Sequence, residues 1–360
     1  MPLRSWASRP TAEVQAPDSR NAAGSEAHVY YERKLDSLKC LFGDDNILLR
    51  SDSLVVGQQR YPILHDVIIL TDPLQYTAFV RAALDDPAEA PRPRVQGFAE
   101  DIQYSFGEEW KGYGRILPEH EREFTQYFDL VDLASLRQAR VCDLGCGAGR
   151  WSYFLKDLCK EIVLVDFSDA IFVARKNLSA SQNCLFFLGD IRRLPFKRDC
   201  CDFVFCLGVL HHLPTPCLEE VRHLRRFAPR LLVFLYYALD NRPAYFRMLL
   251  AVVTFLRRYL HRARHPVFRK LVARAGALLL YQPLVQLGRA VRPLGLSGYV
   301  PLYEYYHGKS LVRIEQDVYD RFFTRIEQRV SREEILGLRD VFSEVTVSDK
   351  MPYWHFVCLR

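Results

Sequence analysis

Short apolar runs alternate with helix-like segments through the middle of the chain. Five runs, VCDLG, IVLVD, CLFFLGD, FVFCLGVL and LLVFLYY, lie between residues 141 and 237, and segments with apolar residues at helical spacing, such as RWSYFLKDLCK and SDAIFVARKNL, separate them. Apolar runs of this length without polar alternation are typical of strands that are buried on both faces. Their alternation with helices predicts an α/β layered fold on a mostly parallel sheet.

Two other regions differ from this core. Residues 29 to 82 contain the β-like runs NILLR, SLVVG and YPILHDVIIL, and the linker DDPAEAPRPR follows at 85–94, which predicts a small β-rich module over 29–84. Residues 240–300 have apolar positions at helical spacing with arginines between them, which predicts an insertion of amphipathic helices. At the end, FSEVTVSD and WHFVCLR predict an antiparallel hairpin that closes the sheet.

Composition places the chain among ordinary globular proteins, with 49% apolar and 13% aromatic residues in 360. Residues 1–28 lack an apolar run long enough for a signal peptide and predict a disordered leader. The longest apolar runs, such as MLLAVVTFL, fall short of the roughly 20 residues that a membrane-spanning helix needs. The ten cysteines form no CxxC pair, so we expect reduced thiols, no metal and a cytoplasmic protein.

Positive charge is concentrated in the predicted helical insertion. The net charge is +6, and residues 240–300 hold eleven Lys or Arg against one acid, Asp240, so this segment is +10 and the remainder −4. A basic block this local favours an acidic or membrane-surface partner. Three interpretations stay open: peripheral contact with an anionic membrane, contact with RNA phosphates, or a solvated face over a lid.

The most distinctive local sequence is RVCDLGCGAGRW at 140–151, where a strand leads into three glycines and then a helix. Glycine lets the backbone approach a ligand and a helix start offers N–H groups, so this loop predicts a nucleotide-like cofactor. It is not the GxGxxG of dinucleotide sites, because the third glycine counted from Gly145 would fall on Arg150. Asp143 would repel a pyrophosphate and suits a cationic group instead.

These residues resemble the class I S-adenosylmethionine-dependent methyltransferase family over about residues 97–236. DLGCGAG at 143–149 is similar to the family's first motif, GDIRRLPF at 189–196 to its third, and CDFVFCLGVLHHLP at 201–214 to its fourth strand and loop. S-adenosylmethionine combines an ammonium, a sulfonium and an adenosine, and the resemblance implies it as the cofactor. It also implies a Rossmann-like seven-stranded, mostly parallel sheet with an antiparallel last strand over 97–360.

The resemblance implies roles for individual residues. Asp166, at the end of EIVLVD, would accept both ribose hydroxyls, and Asp190 would face the adenine amino group with Ile191 against the ring. The residues implied in cofactor binding are Asp143, Gly145, Cys146, Gly147, Gly149, Asp166, Phe167, Asp190, Ile191 and Leu207. His211 and His212 follow the fourth strand, at the family's reaction face, so either is a candidate general base, with loop packing as the alternative.

The acceptor is expected against two segments, FGEEWKGYGR at 106–115 and SGYVPLYEYYHGK at the end of the insertion. The candidate substrate contacts are Trp110, Tyr303, Tyr305 and His307. Their aromatic rings with polar tips suit a small acceptor that is aromatic or lipid-like, although an alternating pattern would also place half of them in a core. The VLHHL sequence is similar to small-molecule methyltransferases of the ubiquinone-biosynthesis type.

Other readings of the chain stay open. Segments between residues 37 and 70 resemble the zinc-ribbon-like domain often found with methyltransferases, but only Cys40 remains of its two cysteine pairs, so a metal-free module is expected; an unrelated β hairpin is the alternative. A group of tRNA-wobble methyltransferases also has His-His after the fourth strand, which keeps RNA as a second substrate class. A third function is a cofactor-binding scaffold without turnover.

Overall fold

The computed structural model describes residues 29–86, 99–263 and 265–360; the expected leader at 1–28, part of the linker and Arg264 lie outside the described residues. The strands are β1 (Ile47–Leu49), β2 (Ser53–Val56), β3 (Gln59–Leu64), β4 (Val67–Ile69), β5 (Arg140–Leu144), β6 (Glu161–Asp166), β7 (Cys184–Leu188), β8 (Phe203–Leu207), β9 (Arg230–Phe234), β10 (Glu344–Val347) and β11 (His355–Leu359). The helices are α1 (Leu35–Phe42), α2 (Ala78–Ala83), α3 (Glu100–Tyr113), α4 (Glu119–Tyr127), α5 (Arg150–Leu155), α6 (Ala170–Asn177), α7 (Cys217–Leu224), α8 (Ala244–Leu260), α9 (Pro266–Gly276), α10 (Gln282–Val291), α11 (Tyr303–Tyr306), α12 (Leu311–Phe323) and α13 (Arg332–Leu336), with a π-helical turn (Ala277–Tyr281) between α9 and α10.

The strands form one mixed sheet in the order β1-β2-β3-β4-β7-β6-β5-β8-β9-β11-β10. Strands β4, β7, β6, β5, β8 and β9 are parallel to one another, and β11 is antiparallel to both of its neighbours. The mostly parallel α/β sheet is thus confirmed. The sheet has eleven strands and not the expected seven, because residues 97–360 supply seven, β5 to β11, and four more join them.

The four additional strands come from the N-terminal region. Strand β4 pairs in parallel with β7, and β3, β2 and β1 continue outward through antiparallel pairs. This pairing satisfies the backbone N–H and C=O groups that an edge strand β7 would leave unpaired. The run YPILHDVIIL forms two strands instead of one, because His65 and Asp66 adopt φ of 48° and 60° and turn the chain between β3 and β4. The β-rich module expected at 29–84 therefore extends the main sheet.

Both faces of the central sheet are buried, as the apolar runs predict. Neighbouring side chains point to opposite faces, so Phe187 belongs to a cluster with α1 and α7, and Phe186 to one with α4, α5 and α6. Neither phenylalanine has any exposed surface. Helices thus cover the sheet on both sides, and the carboxyl ends of the parallel strands all reach the same edge.

The helices predicted at 240–300 are present as α8, α9 and α10. They pack with α12 around a third cluster that includes Ala273, Tyr281, Ile314 and Val318. Helix α12 contacts α8 and α9, and it also contacts α3. It therefore lies between the helical insertion and the helix that borders the cavity described below. No helix in the described ranges is long and apolar enough to cross a membrane.

Candidate active site

A cavity opens at the carboxyl edge of β5, β6, β7 and β8. Loops after parallel strands meet at this edge, which is where open α/β sheets bind their ligands. The predicted site residues that line it are Trp110, Gly145, Asp166, Phe167, Asp190, Ile191, Leu207 and His212. Residues from α3 and from the carboxyl ends of β5, β6, β7 and β8 are therefore brought to one cavity.

The glycine loop after β5 is held by the end of β6. The N–H groups of Gly145 and Cys146 both donate to the carbonyl oxygen of Val165, at 2.8 and 3.0 Å, and that of Gly147 donates to Asp166 Oδ2 at 2.9 Å. The sequence predicts that these N–H groups face the ligand. They instead hold the glycine loop in place against the end of β6. Gly145 and Gly147 have φ of +77° and +52°, and a Cβ on Gly147 would lie 2.6 Å from the Trp110 ring. Glycine is required here for both conformation and space.

Asp166 is buried at the end of β6 and still has room for a ligand. Its Oδ1 accepts from Ser168 N at 2.9 Å and from Ser168 Oγ at 2.7 Å, whereas Oδ2 accepts from Gly147 N. A carboxylate has about four acceptor positions, so a further donor can still be bound on the cavity side. Burial raises the pKa of Asp166, and the hydrogen bonds from Ser168 and Gly147 act in the opposite direction.

Asp143 lies beneath the loop and does not line the cavity. Its Oδ2 accepts from Ser152 Oγ at 2.6 Å, and only 1% of the residue is exposed. Burial raises the pKa of Asp143 to about 8. A carboxyl group in this position is protonated over most of the neutral range and ties the end of β5 to α5.

We expect this carboxyl group to make stability depend on pH. Between about pH 4 and pH 8 the folded chain keeps a proton on Asp143 that the unfolded chain has released, so the free energy of unfolding should fall as pH rises. Asp143→Asn keeps the shape without titrating, and it should flatten this dependence. Urea unfolding of both chains at several pH values measures it; equal slopes for the two chains would show that Asp143 is ionised in the fold.

Asp190 and Ile191 follow β7 at the cavity wall. Asp190 caps a short 3₁₀ turn by accepting from Arg192 N at 3.0 Å, and the Arg192 guanidinium also binds it, with Nη2 at 2.7 Å from Oδ2. Arg192 lines the cavity beside them. The ion pair fixes the carboxylate at the mouth of the cavity, while Ile191 supplies an apolar surface.

Trp110 separates the cavity from a buried group of charges. The Arg150 guanidinium lies over the Trp110 and Trp151 rings, at 4.9 and 4.7 Å from their centroids, and 3.7 Å from Glu123. Burial opposes ionisation of Glu123, but Arg313 and Lys309 outweigh it and lower the pKa of this carboxyl. The group fixes α4 and α5 against the C-terminal helices, and its arginine braces the indole that covers the glycine loop.

The two histidines after β8 have different environments. His212 lines the cavity, and its Nδ1 lies 2.7 Å from the carbonyl oxygen of Ile326. Because a carbonyl only accepts, Nδ1 carries a hydrogen, and Nε2 is the nitrogen that can accept or release a proton. Nε2 lies 3.7 Å from Asp320 Oδ1. His211 is fully buried, stacks on Tyr236 with 3.9 Å between centroids, and does not line the cavity.

The aromatic residues expected around the acceptor are only partly brought together. Trp110 lines the cavity, but Tyr303, Tyr305 and His307 do not. Tyr303 is buried and stacks on His307, with 5.1 Å between ring centroids. Residues 303–306 form a helical turn, so the alternating Y-x-Y pattern is not that of a strand.

Several cavity residues are not predicted site residues. Phe106, Val209, Leu213 and Pro214 lie within the segments 106–115 and 201–214 already expected at the site, whereas Ile102 of α3 lies outside them. The apolar character of Ile102 is that of any buried helix residue, so only the fold assigns it to the site. Cys146, Gly147 and Gly149 support the loop from behind and are absent from the cavity lining.

The N-terminal strands show no arrangement for zinc. Among the described residues, no group of three His, Cys, Asp or Glu side chains could hold a metal ion. Cys40 Sγ instead accepts from Arg140 Nη1 at 2.8 Å. This contact links α1 to the first residue of β5.

Residues 141–228 match the family model described as a methyltransferase domain. No curated protein matches the chain. Similar solved structures include the YcgJ protein from Bacillus subtilis, with 24% identity over 37% of this chain and 58% of that one (TM-score 0.32). Another is the PH0226 protein from Pyrococcus horikoshii, with 28% identity over 32% and 58% (TM-score 0.29). A third is Haemonchus contortus phosphoethanolamine N-methyltransferase 1 in complex with phosphoethanolamine and S-adenosylhomocysteine, with 19% identity over 41% and 35% (TM-score 0.32).

The family match covers β5 to α7, the part of the chain that supplies the glycine loop, Asp166 and Asp190. This part of the chain is therefore similar to a methyltransferase domain, the class for which the sequence predicts S-adenosylmethionine as the cofactor. The chain spans 58% of the length of the first two similar structures, and each of the three similarities stops short of half of this chain.

Proposed function

We propose that the protein methylates a small aromatic or lipid-like acceptor at an oxygen, nitrogen or carbon atom. The observation that carries the proposal is that Asp166, Gly145 and His212 line one cavity together with apolar side chains from α3 and the loop after β8. A pocket of this kind, apolar with a few polar groups, is suited to orient a small molecule. The VLHHL sequence supports a resemblance to methyltransferases of the ubiquinone-biosynthesis type.

The walls of the cavity suit S-adenosylmethionine, which supplies a methyl group on a sulfonium. Asp166 has an acceptor position left for a ribose hydroxyl, and Asp190 with Ile191 offers a polar tip beside an apolar surface for the adenine. Phe167 and Leu207 add apolar walls, and Gly145, which has no side chain, lets the cofactor approach the backbone. Asp143, Cys146, Gly147 and Gly149 then act in cofactor binding by holding the loop.

His212 is the proposed general base for an acceptor that must lose a proton. Its Nδ1–H is fixed by Ile326, so Nε2 can take the proton, and Asp320 at 3.7 Å stabilises the imidazolium that forms. His211 has no cavity surface and is stacked on Tyr236, so we assign it to packing. An acceptor that reacts without losing a proton would need His212 only as part of the wall.

Incubation of the chain with S-adenosylmethionine and fractionated cell extracts should release S-adenosylhomocysteine with the lipid or small-metabolite fraction. The mass of the product identifies the acceptor. His212→Ala should lower turnover about 100-fold while the dissociation constant for S-adenosylmethionine stays the same, since a positioned base contributes rate and little cofactor affinity.

The same assay distinguishes the alternatives. If S-adenosylhomocysteine is released only with the RNA fraction, the acceptor is RNA and the chain is an RNA methyltransferase. Cofactor binding without release in any fraction would make it a scaffold. His223→Ala, at an exposed histidine on α7, is the matched control and should turn over like the parent chain.

The N-terminal strands have a separate proposed origin. We propose that 29–84 is a metal-free relative of the zinc-ribbon-like domain, with Cys40 retained as a hydrogen-bond acceptor for Arg140. Its present contribution is to extend the sheet beside β7 and to bury apolar residues of α1.

A further inference from the structure

The helical insertion exposes an unusual amount of apolar surface. Of the 25 large hydrophobic residues that are exposed in the described ranges, 17 lie between residues 245 and 299. They are Tyr245, Met248, Leu249, Val252, Phe255, Leu256, Tyr259, Val267, Phe268, Leu271, Leu278, Leu279, Leu280, Leu287, Leu294, Leu296 and Tyr299. We call them the insertion surface. Scattered single residues of this kind are normal, but such a concentration marks a binding surface.

The insertion surface faces away from the body of the protein. Helices α8 and α9 and the π-helical turn contact α12 through buried residues such as Ala273, Ala277 and Tyr281. The exposed residues lie on the other faces of the same segments, and Leu279 is 79% exposed within a turn whose Tyr281 is 2% exposed. An amphipathic helix normally has one apolar face, which is buried. These segments have two: one packs against α12, and the other is exposed.

The charge around this surface has one sign. Residues 241–300 contain no Asp or Glu. Four of the bases have roles inside the fold: Arg257 and Arg269 are buried, Arg242 pairs with Glu304, and Arg274 pairs with Glu315. The bases exposed on the insertion are Arg247, Arg258, Arg262, Lys270, Arg289 and Arg292, beside the paired Arg274. An exposed apolar surface is thus combined with unopposed positive charge.

We propose that the insertion surface docks on an anionic lipid membrane. Aliphatic side chains would enter the boundary between headgroups and acyl chains, while arginines would contact the acidic headgroups. A second copy of the chain would place like charges against each other. RNA phosphates would use the arginines and leave the exposed Leu, Met and Val residues without a partner.

The docking helices are joined to the cavity walls, which connects the surface to the proposed acceptor class. Arg269 of α9 donates to Ser105 Oγ of α3 at 3.2 Å, and α3 carries Phe106 and Trp110. Arg257 of α8 binds Glu327 at 2.6 Å, next to the Ile326 carbonyl that fixes His212. This step rests on the proposed function: an apolar acceptor would be taken from the membrane on which the chain docks.

The test is co-sedimentation of the full chain with vesicles. Phosphatidylcholine vesicles should retain little protein, and vesicles that also contain phosphatidylglycerol should retain much more. Met248→Asp/Val252→Asp/Leu279→Asp and Arg247→Ser/Arg258→Ser/Arg262→Ser should each weaken binding to the anionic vesicles at least about tenfold. High salt should weaken the binding of the parent chain without abolishing it, because apolar burial is not screened.

The matched controls make the same kinds of substitution at exposed positions outside the insertion. Leu48→Asp/Leu74→Asp/Leu158→Asp and Arg137→Ser/Arg198→Ser/Arg225→Ser alter exposed positions outside the insertion and should bind vesicles like the parent chain. All variants should keep the parent's affinity for S-adenosylmethionine, which shows that they fold. Failure of methyl transfer would leave the vesicle result standing, so the two proposals can fail separately.

Three results would overturn the proposal. The first is equal retention by neutral and anionic vesicles, or insertion variants that bind like the parent chain. The second is RNA retention that the arginine variant loses and the aspartate variant keeps, which would assign the surface to RNA. The third is a dimer that the aspartate variant dissociates, with no binding to vesicles, which would assign it to a second copy.

Discussion

Asp166→Ala should weaken the binding of S-adenosylmethionine about 10- to 150-fold. A hydrogen bond from a ribose hydroxyl to the remaining acceptor position of this carboxylate is charge-assisted and contributes about 1.5 to 3 kcal/mol. Its loss corresponds to a factor of about 10 to 150 in the dissociation constant. The substitution also removes the acceptor for Gly147 N, so the glycine loop loses one of its fastenings. Isothermal titration calorimetry measures the effect.

Two further variants separate these contributions. Asp166→Asn keeps an oxygen for one donor and removes the charge, so its affinity should lie between those of the parent chain and the alanine variant. Asp157→Ala is the control, because the Asp157 side chain is 81% exposed. An alanine variant with the parent's affinity would exclude Asp166 as the ribose ligand and would remove the main support for the cofactor geometry.

The central sheet could be predicted because its strands are buried on both faces. Runs such as IVLVD and CLFFLGD have no polar alternation, and Ile162–Val165 and Cys184–Leu188 are buried throughout. The family resemblance points to Asp166 and Asp190 as site residues. The sheet explains their position, since a carboxylate at the end of such a strand or just after it reaches the carboxyl edge.

The number of strands and the acceptor wall could not be predicted because they depend on distant pairings. Nothing in Val67–Ile69 indicates that it pairs with β7, about 120 residues later in the chain, rather than closing a separate module. The hairpin at His65 and Asp66 lacks the glycine that usually reveals such a turn. Tyr303 and His307 have the composition of a binding patch, yet their rings stack on each other away from the cavity.

The roles of the basic residues in the insertion also could not be predicted from the sequence. Residues 240–300 contain eleven Lys or Arg, and only the structure distinguishes the buried ones from the exposed ones. Arg257 and Arg269 hold α8 and α9 to the segments around the cavity, whereas Arg247 and Arg258 are exposed. A substitution of Arg257 would therefore test folding and not docking, which is why the docking variants avoid it.

Gly147→Val should abolish cofactor binding and lower the stability of the chain. The residue has φ of +52°, where an L-residue loses about 1 to 2 kcal/mol, and β-branched valine is among the least tolerant. Its Cβ would also lie 2.6 Å from Trp110 Cε2, so the indole or the loop must move, at about 1 to 3 kcal/mol for overpacking. Urea unfolding should show a loss of about 2 to 5 kcal/mol, and calorimetry should show no heat of cofactor binding.

A double-mutant cycle isolates the contact with Trp110. Gly147→Ala should cost less stability in a Trp110→Ala background than in the parent chain, because only the unfavourable φ then remains. Gly298→Val is the control: nothing lies within 4 Å of its added Cβ, and it should unfold like the parent. Equal costs of Gly147→Ala in both backgrounds would show that the indole does not rest on the loop. Retained cofactor affinity in Gly147→Val would mean that the loop does not shape the binding site, since its three N–H bonds to Val165 and Asp166 could not survive the displacement unchanged.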